Sequence, residues 1–458
     1  MPGWRDGLLR VGFPRFTAFA VPACPRLSRD RLSRNHNSYC MIPKSLLILF
    51  LLAAAFASTR AAESAGKSGV NLGDAIAAAL RNNRELRVFE AGIAASKGGV
   101  TTAKTVANPE LTIAPGVKRT RDAGVTTTEF HGVLEFSQLF KFPGKRALEI
   151  AVAQRNVALQ ELALEGFRFQ LAAKVRKAFY EMLSAEKVIA LRREQVESAK
   201  TFVASAQKRA ESGYASDFET MKSQAELIAA NRSIQQAQGE VIAARVSLNT
   251  FMGRDPSASL EISGTLENVA PPGGARDYLA LAMARNPSIR TASARSEVAD
   301  LALRSTRFGR RPDFAVGPSI EYTENEQIYG ISGTIALPFW DQKRGEIETA
   351  TGEQRKALAE IEKTRAEIAG EVTKAAAGLQ VAKESAALYT PEFLRQLRSF
   401  VVQAEQGYAQ SATTLIIYLD AKRTYFDTLS SYYESLGGVA EHRAELESAV
   451  GVPLDLKP

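Results

Sequence analysis

Residues 313–322, DFAVGPSIEY, decide how the rest of this chain is read. Around them the sequence is built mostly from Ala, Glu, Gln, Lys, Arg and Leu, residues that give up little on entering a helix. Within them Phe314, Val316, Pro318, Ile320 and Tyr322 alternate with Ala315, Gly317, Ser319 and Glu321. A period of two belongs to a β-strand that is apolar on one side only. Either another part of the protein or a lipid phase must cover that side.

Working outward, the same pattern returns. Residues 110–118 put Leu111, Ile113 and Val117 on one side, and residues 127–137 put Phe130, Leu134 and Phe136 opposite Thr127, Glu129, His131 and Glu135. Residues 328–338 set Tyr329, Ile331, Ile335 and Leu337 against Gly330, Ser332, Thr334 and Ala336. The two pairs of strands belong to a duplication. ALRNN at Ala79–Asn83 aligns with MARNP at Met283–Pro287, Asn82 over Asn286, and NPEL from Asn108 aligns with RPDF from Arg311. Further on, Lys145-Arg146 lies over Lys343-Arg344, Leu248 over Leu446 and Gly253 over Gly451, all at an offset of 198. The earlier offset is 203 or 204, so five or six extra residues lie in the first hairpin, where KRTRDAGVTT faces the shorter TENEQ; a longer loop around Ala123 is expected.

Each copy follows one plan: a helix, two strands, then two long helices joined by a tight turn. The opening helices are expected over Leu72 to about Thr105, with Asn71 and Asp74 as its cap, and over about Arg276 to Arg307. Residues 145–212 and 343–410 each carry 3.5- to 3.6-residue apolar spacing over sixty-eight residues, with a kink expected at Pro391. At 1.5 Å per residue such a helix is about 100 Å long. The domain boundaries follow: residues 1–61 a leader, 62–255 the first repeat, 256–275 a linker and 276–458 the second repeat. The fold class is mainly α with a transmembrane β portion.

The formal charge of +8 belongs to the leader. Residues 1–61 hold nine basic and two acidic side chains, a net +7, which leaves +1 for everything after them. Binding nucleic acid needs clustered cations on the working surface, and the body of the chain lacks the excess, so nucleic acid is excluded as a partner. Met41-Ile-Pro-Lys44 followed by the apolar run Ser45–Ala57 has the length of a signal h-region and is too short to span a membrane. Ala55-Phe-Ala57 and Thr59-Arg-Ala61 offer cleavage patterns. Residues 1–40 read as sequence upstream of the true start or as an extension. Cys24 and Cys40 both lie in this leader, so the exported part has no disulfide framework and no thiolate metal site.

For a single strand, packing on a helix of the same protein would be the common case. Four strands with the same sidedness, paired alike in two repeats of an exported chain, point to tilted transmembrane strands with lipid on the apolar side. Phe130, Leu134, Phe136, Phe314, Val316, Ile320, Tyr329, Ile331 and Ile335 are the lipid-facing residues on this reading. Four strands fall short of the eight in the smallest barrels, and lipid tolerates no open edge. Several chains must then share a barrel.

At this point the sequence resembles the TolC-type outer-membrane efflux channel family over residues 70–453. The resemblance rests on ALRNN/MARNP, NPEL/RPDF, the strand exit FSQLFKFPGKR and, above all, the turn AESGYASDFETMKSQAEL at Ala210–Leu227. It implies a homotrimer with a twelve-stranded barrel over a helical tunnel, set in the outer membrane. It also implies docking to a periplasmic adaptor and through it to an inner-membrane pump, with the resistance-nodulation-division class as the candidate. The FPGKR exit is nearest to members that serve heavy-metal and other cation exporters. The competing reading is a secreted or periplasmic coiled-coil rod, adaptor or pore-former. Heat-resistant trimers in outer-membrane fractions would mark the channel, and a water-soluble monomer the rival.

No catalytic constellation and no cofactor motif is present in the sequence. His36, His131 and His442 are far apart, and AGKS at Ala65–Ser68 has Ala61 where a phosphate loop needs its first Gly. Function is localised instead at two turns. Gly213 is expected to take a left-handed cap, with Ser216 and Glu219 forming a capping box. The resemblance makes Gly213, Ser216 and Asp217 adaptor-docking residues. The 198 offset puts Ser411 over Gly213, so the second turn, QSATT, lacks its glycine. The resemblance also places a periplasmic gate just after that turn, where Asp420, Ile417 and Tyr418 are the candidates.

Overall fold

The computed structural model describes residues 69–213, 216–266 and 274–454. The leader, its cleavage patterns, the AGKS stretch and most of the linker lie outside the described residues. Among the described residues nine helices and four strands follow in duplicate order. The first repeat holds α1 (Leu72–Asn82), α2 (Arg84–Lys104), β1 (Glu110–Asp122), β2 (Val125–Phe140), α3 (Lys145–Glu211) and α4 (Asp217–Phe251). The second holds α5 (Ala275–Arg285), α6 (Pro287–Phe308), β3 (Phe314–Thr323), β4 (Gln327–Ile335), α7 (Arg344–Ala387), α8 (Pro391–Ala409) and α9 (Leu415–Val450). Among the described residues no helix is long and apolar enough to cross a membrane.

Each expected opening helix is broken once, and an asparagine makes the break. Asn83 leaves the helical conformation, its side-chain oxygen accepts the Glu85 N–H at 2.9 Å, and its amide donates to the Phe251 carbonyl at 3.0 Å. Asn286 repeats this: its oxygen accepts the Ser288 N–H at 2.8 Å and its amide donates to the Ala449 carbonyl at 2.8 Å. An amide side chain carries both the acceptor an N-terminus needs and, on a separate atom, the donor a C-terminus needs. The residue equivalent to Asn286 is therefore Asn83, not Asn82, and the offset before the strands is 203.

These contacts join half-length helices end to end. The C-terminus of α4 meets the N-terminus of α2, and that of α9 meets α6, so their dipoles run head to tail. Gly253 and Gly451 make room at the joints. Both hold a positive φ, +70° and +82°, and a Cβ on Gly253 would lie 2.4 Å from the Asn82 carbonyl oxygen. Alongside runs one long helix per repeat. In the first it is α3, unbroken over 67 residues and about 100 Å long. In the second it is α7 and α8, interrupted before Pro391, where Thr390 caps the restart by accepting the Phe393 N–H at 3.1 Å.

Two apolar clusters mark the joints. Leu171, Val175, Phe179 and Met182 of α3 pack with Ala75, Ala79, Leu248 and Met252. Ile368, Val372 and Leu379 of α7 pack with Tyr278, Ala282, Leu446 and Val450. Between the repeats Glu447, fully buried on α9, is held by Arg176 of α3 and by Arg443 at 3.1 Å. The linker is tied back by a parallel bridge from Val70 to Ile262.

The strands form one antiparallel sheet in the order β1-β2-β3-β4. The first hairpin differs from expectation. Its turn is only Ala123-Gly124, with φ of +45° and +88°, so the extra residues lengthen β1 and β2 instead of the loop. Two residues at positive φ match the twist of the flanking strands, which lets the ladder continue to the tip.

Candidate functional site

The register of the sheet brings the alternating residues into continuous rows. Ile113 pairs with Leu134, Leu134 with Ile320, and Ile320 with Tyr329. The neighbouring rows join Leu111 to Phe136, Val117 to Phe130, and Phe140 to Phe314 to Ile335. Ile331 and Val316 lie on the same side by alternation. One side of all four strands is thus apolar, and nothing among the described residues covers it: Ile331 is 82% exposed and Tyr329 71%. The other side carries Glu129, His131, Glu135, Ser319, Glu321 and Ser332, with His131 3.6 Å from Glu321 and Ser332 donating to Glu135 at 2.5 Å.

Aromatic rings bound the apolar band. Phe140 stacks on Phe314 at 5.6 Å near the helices, and Phe130 meets Tyr322 at 5.7 Å near the hairpin tips. The eleven residues from Phe130 to Phe140, if tilted as barrel strands are, would rise roughly 25 Å along a barrel axis. That is the height of the apolar band of an outer-membrane barrel. Tyr322 also lies over Gly132, where a Cβ would come within 2.9 Å of its ring. Where the helices begin, Asp313 accepts the Phe142 N–H at 2.7 Å and pairs with Lys145 at 2.8 Å.

At the far end the two tips sit side by side. Gly213 takes the left-handed conformation at φ +75°, and its N–H donates to the Ala210 carbonyl at 2.9 Å. Ser411 takes the same conformation at φ +57°. Its N–H donates to Tyr408 at 3.1 Å, and that of Ala412 to Gly407 at 2.8 Å, the paired bonds of a Schellman cap. The missing glycine has not changed the left-handed position, since serine adopts the strained conformation itself. Gly407 plays another part: Thr413 folds across it, and a Cβ there would meet the Thr413 hydroxyl.

The expected capping box is half formed. Ser216 accepts the Glu219 N–H at 3.4 Å, but the Glu219 carboxylate does not turn back. It accepts the Tyr408 hydroxyl and lies 3.7 Å from Arg209, linking α3, α4 and α8. Tyr408 in turn stacks on Tyr418 at 4.9 Å, and Phe202 meets both rings edge-on. Lys422 lies 4.7 Å above the Tyr418 ring, bonds to Ser198, and reaches Glu405 at 3.6 Å. Burial pushes the Tyr418 phenol well above its ordinary range, and Glu405 beside it pushes the same way. Burial lowers the Lys422 ammonium, although Glu405 opposes it.

The gate candidates therefore separate. Tyr418 is only 3% exposed and belongs to this internal cluster, whereas Ile417 and Asp420 stand on the exposed side of α9. Gly213, Ser216, Asp217 and Ser411 are all exposed at the tips. Tyr408, Glu219, Arg209 and Lys422 were missed by sequence reasoning as a unit. The signal available was Tyr408, an aromatic three residues before a turn. Among the described residues no group of His, Cys, Asp and Glu could hold a metal ion.

A one-sided antiparallel sheet joined to long paired helices defines the class of outer-membrane channels with a long helical extension. The model of the outer membrane efflux protein family matches residues 75–254 and 278–452, most of both repeats, and the chain belongs to that family. The cobalt-zinc-cadmium resistance protein CzcC of Cupriavidus metallidurans is 24% identical over 391 residues, 85% of this chain and 91% of that protein. The crystal structure of CusC superposes with a TM-score of 0.68 at 18% identity, covering 84% of this chain and 93% of that one. The Campylobacter jejuni outer membrane channel CmeC superposes with a TM-score of 0.66 at 14% identity, covering 83% and 85%. The family is one of outer-membrane efflux channels, and its fold is the mainly helical one with a small antiparallel sheet found in this chain.

Proposed function

We propose that the protein is the outer-membrane duct of a tripartite efflux system for metal cations, working as a homotrimer with a periplasmic adaptor and an inner-membrane pump. The observation that carries this reading is the sheet: among the described residues nothing covers its apolar side, and β1 and β4 have no partner on their outer edges. Lipid does not tolerate such edges. Because β1 and β4 run antiparallel, β4 of one copy can pair with β1 of the next, and three copies close a barrel of twelve strands. The polar side then lines the lumen, with Glu129, Glu135 and Glu321 repeated around it. Carboxylates in a lumen favour cations, which agrees with the resistance named for CzcC. The paired tips, with Gly213, Ser216, Asp217 and Ser411 exposed, supply the surface for the adaptor.

The test is expression in an outer-membrane-bearing host. The expected result is a heat-modifiable trimer in the outer-membrane fraction that forms cation-preferring channels in planar bilayers. It should also restore zinc or cobalt resistance when supplied with its pump and adaptor. A water-soluble monomer that leaves bilayers unchanged would instead support the periplasmic rod.

A further inference from the structure

Above the row that joins Val117 to Phe130, the first hairpin continues where the second stops. Arg119 pairs with Thr128 and Arg121 with Thr126, whereas β3 and β4 end at the Tyr322–Gln327 pair. Strand alternation puts Arg119 and Arg121 on the side of Leu111, Ile113 and Val117. The acids of the same segment, Asp122 and Glu129, fall on the other side together with Lys118. Glu324 and Glu326 sit in the shorter turn, two strands away, and Arg121 rises above their level. Both arginines are exposed, and among the described residues no carboxylate lies within ion-pair distance of either. The outward face thus changes from an apolar band to two unpaired guanidinium groups, two and four residues beyond its last apolar side chain, Val117.

We infer that Arg119 and Arg121 form a binding surface for the phosphorylated headgroup of a glycolipid in the outer leaflet. The inference rests on reading the sheet as a lipid-facing barrel wall. On such a wall a cation is costly at the midplane but nearly free at the interface. The planar fork of arginine matches phosphate oxygens two at a time. The surface is continuous with the apolar band, so acyl chains would lie along Val117 and Ile113 while the phosphate meets the guanidinium groups. A closed trimer would present three such surfaces.

The test is native mass spectrometry of the full-length purified protein with bisphosphorylated lipid A, its dephosphorylated form, and phosphatidylglycerol. The parent should retain bisphosphorylated lipid A in preference to the other two. Arg119→Gln with Arg121→Gln should weaken that retention roughly fivefold per arginine, about 25-fold for both. Lys118→Gln, at the same height on the inward side, should change nothing. If the double variant still inserts into bilayers and retains lipid A like the parent, the inference is overturned and the barrel stands. Equal retention of phosphatidylglycerol by the parent overturns the glycolipid assignment. A parent that neither inserts nor retains lipid removes the barrel reading and this inference together.

Discussion

Gly213 at φ +75° and Ser411 at φ +57° hold the same left-handed conformation at the two tips, although only one of them is a glycine. The side chain of Ser411 meets the backbone at a cost of about 1–2 kcal/mol in this conformation. A glycine there relieves it. Ser411→Gly is expected to raise the unfolding midpoint of the assembled protein by an amount equivalent to about 1 kcal/mol. Gly213→Val should do the opposite. A β-branched residue at positive φ is an outlier, so the turn must move, and folded trimers should persist while export is lost. Export at the parental level in Gly213→Val would remove this turn from the docking surface.

The sheet yields a paired test of sidedness. Ile320 lies in the row with Leu134 and Tyr329, whereas Ser319 pairs with Glu135 and Gly330 on the polar side. Ile320→Arg should impair assembly in the membrane, because a cation at the barrel midplane costs about 2–4 kcal/mol. Ser319→Arg should assemble and lower cation conductance by adding positive charge to the lumen. Trimer yield on unheated gels separates the two. Equal yields would mean that the apolar side does not face lipid.

The half-buried Glu441 and the buried Tyr418 give the stability of the helices a pH dependence of stated sign. Glu441 on α9 is pushed above the usual carboxylate range, first by burial and then by the like charge of Glu181, with Lys177 opposing. Because its folded pKa is raised, its neutral form favours the fold, and stability falls as pH rises past the unfolded value of about 4.3. Glu441→Gln should abolish that loss and raise the thermal midpoint at neutral pH. Tyr418 acts at the other end of the scale. Its raised pKa means that the unfolded phenol ionises first, so stability falls above about pH 10. In Tyr418→Phe the alkaline loss should be shallower. Midpoints measured from pH 4 to 11 for both variants and the parent check both signs, and parallel curves would remove both groups from the linkage.

Much of this architecture was legible because its signals are local. Alternation at Phe314–Tyr322 specifies a one-sided strand in any context, and the long helices follow from composition and spacing. The joints were not legible in full. ALRNN reads as continuous helix because asparagine at position 83 is only mildly unfavourable there, and its value as a bridge depends on Phe251, far along the chain. The duplicate MARNP carried a stronger hint, since Pro287 suits a first helical turn and nothing later. Glu219 was misread for the same reason. Three residues after Ser216 it fits a capping box, but Tyr408, 189 residues away, holds the carboxylate. Contacts between distant segments leave no trace in the spacing of either one.

The last expectation concerns closure and follows from the separation of the three gate candidates. Tyr418 is packed against Phe202 and Tyr408, so Tyr418→Ala should cost about 3 kcal/mol of stability, as large aromatic truncations do. Its effect on conductance should follow only from that loosening. Asp420 and Ile417 lie on the exposed side of α9, one turn apart, where three copies would bring them toward a common axis. Removing the carboxylate in Asp420→Ala should raise the resting conductance and reduce cation preference in planar bilayers, with the adaptor still bound. Ile417→Ala should raise conductance without changing ion preference, because it widens an apolar ring and removes no charge. If Asp420→Ala conducts as the parent does while Ile417→Ala leaks, closure is apolar and Asp420 is an ordinary solvated residue of α9. If neither variant leaks, the constriction lies elsewhere along the helices.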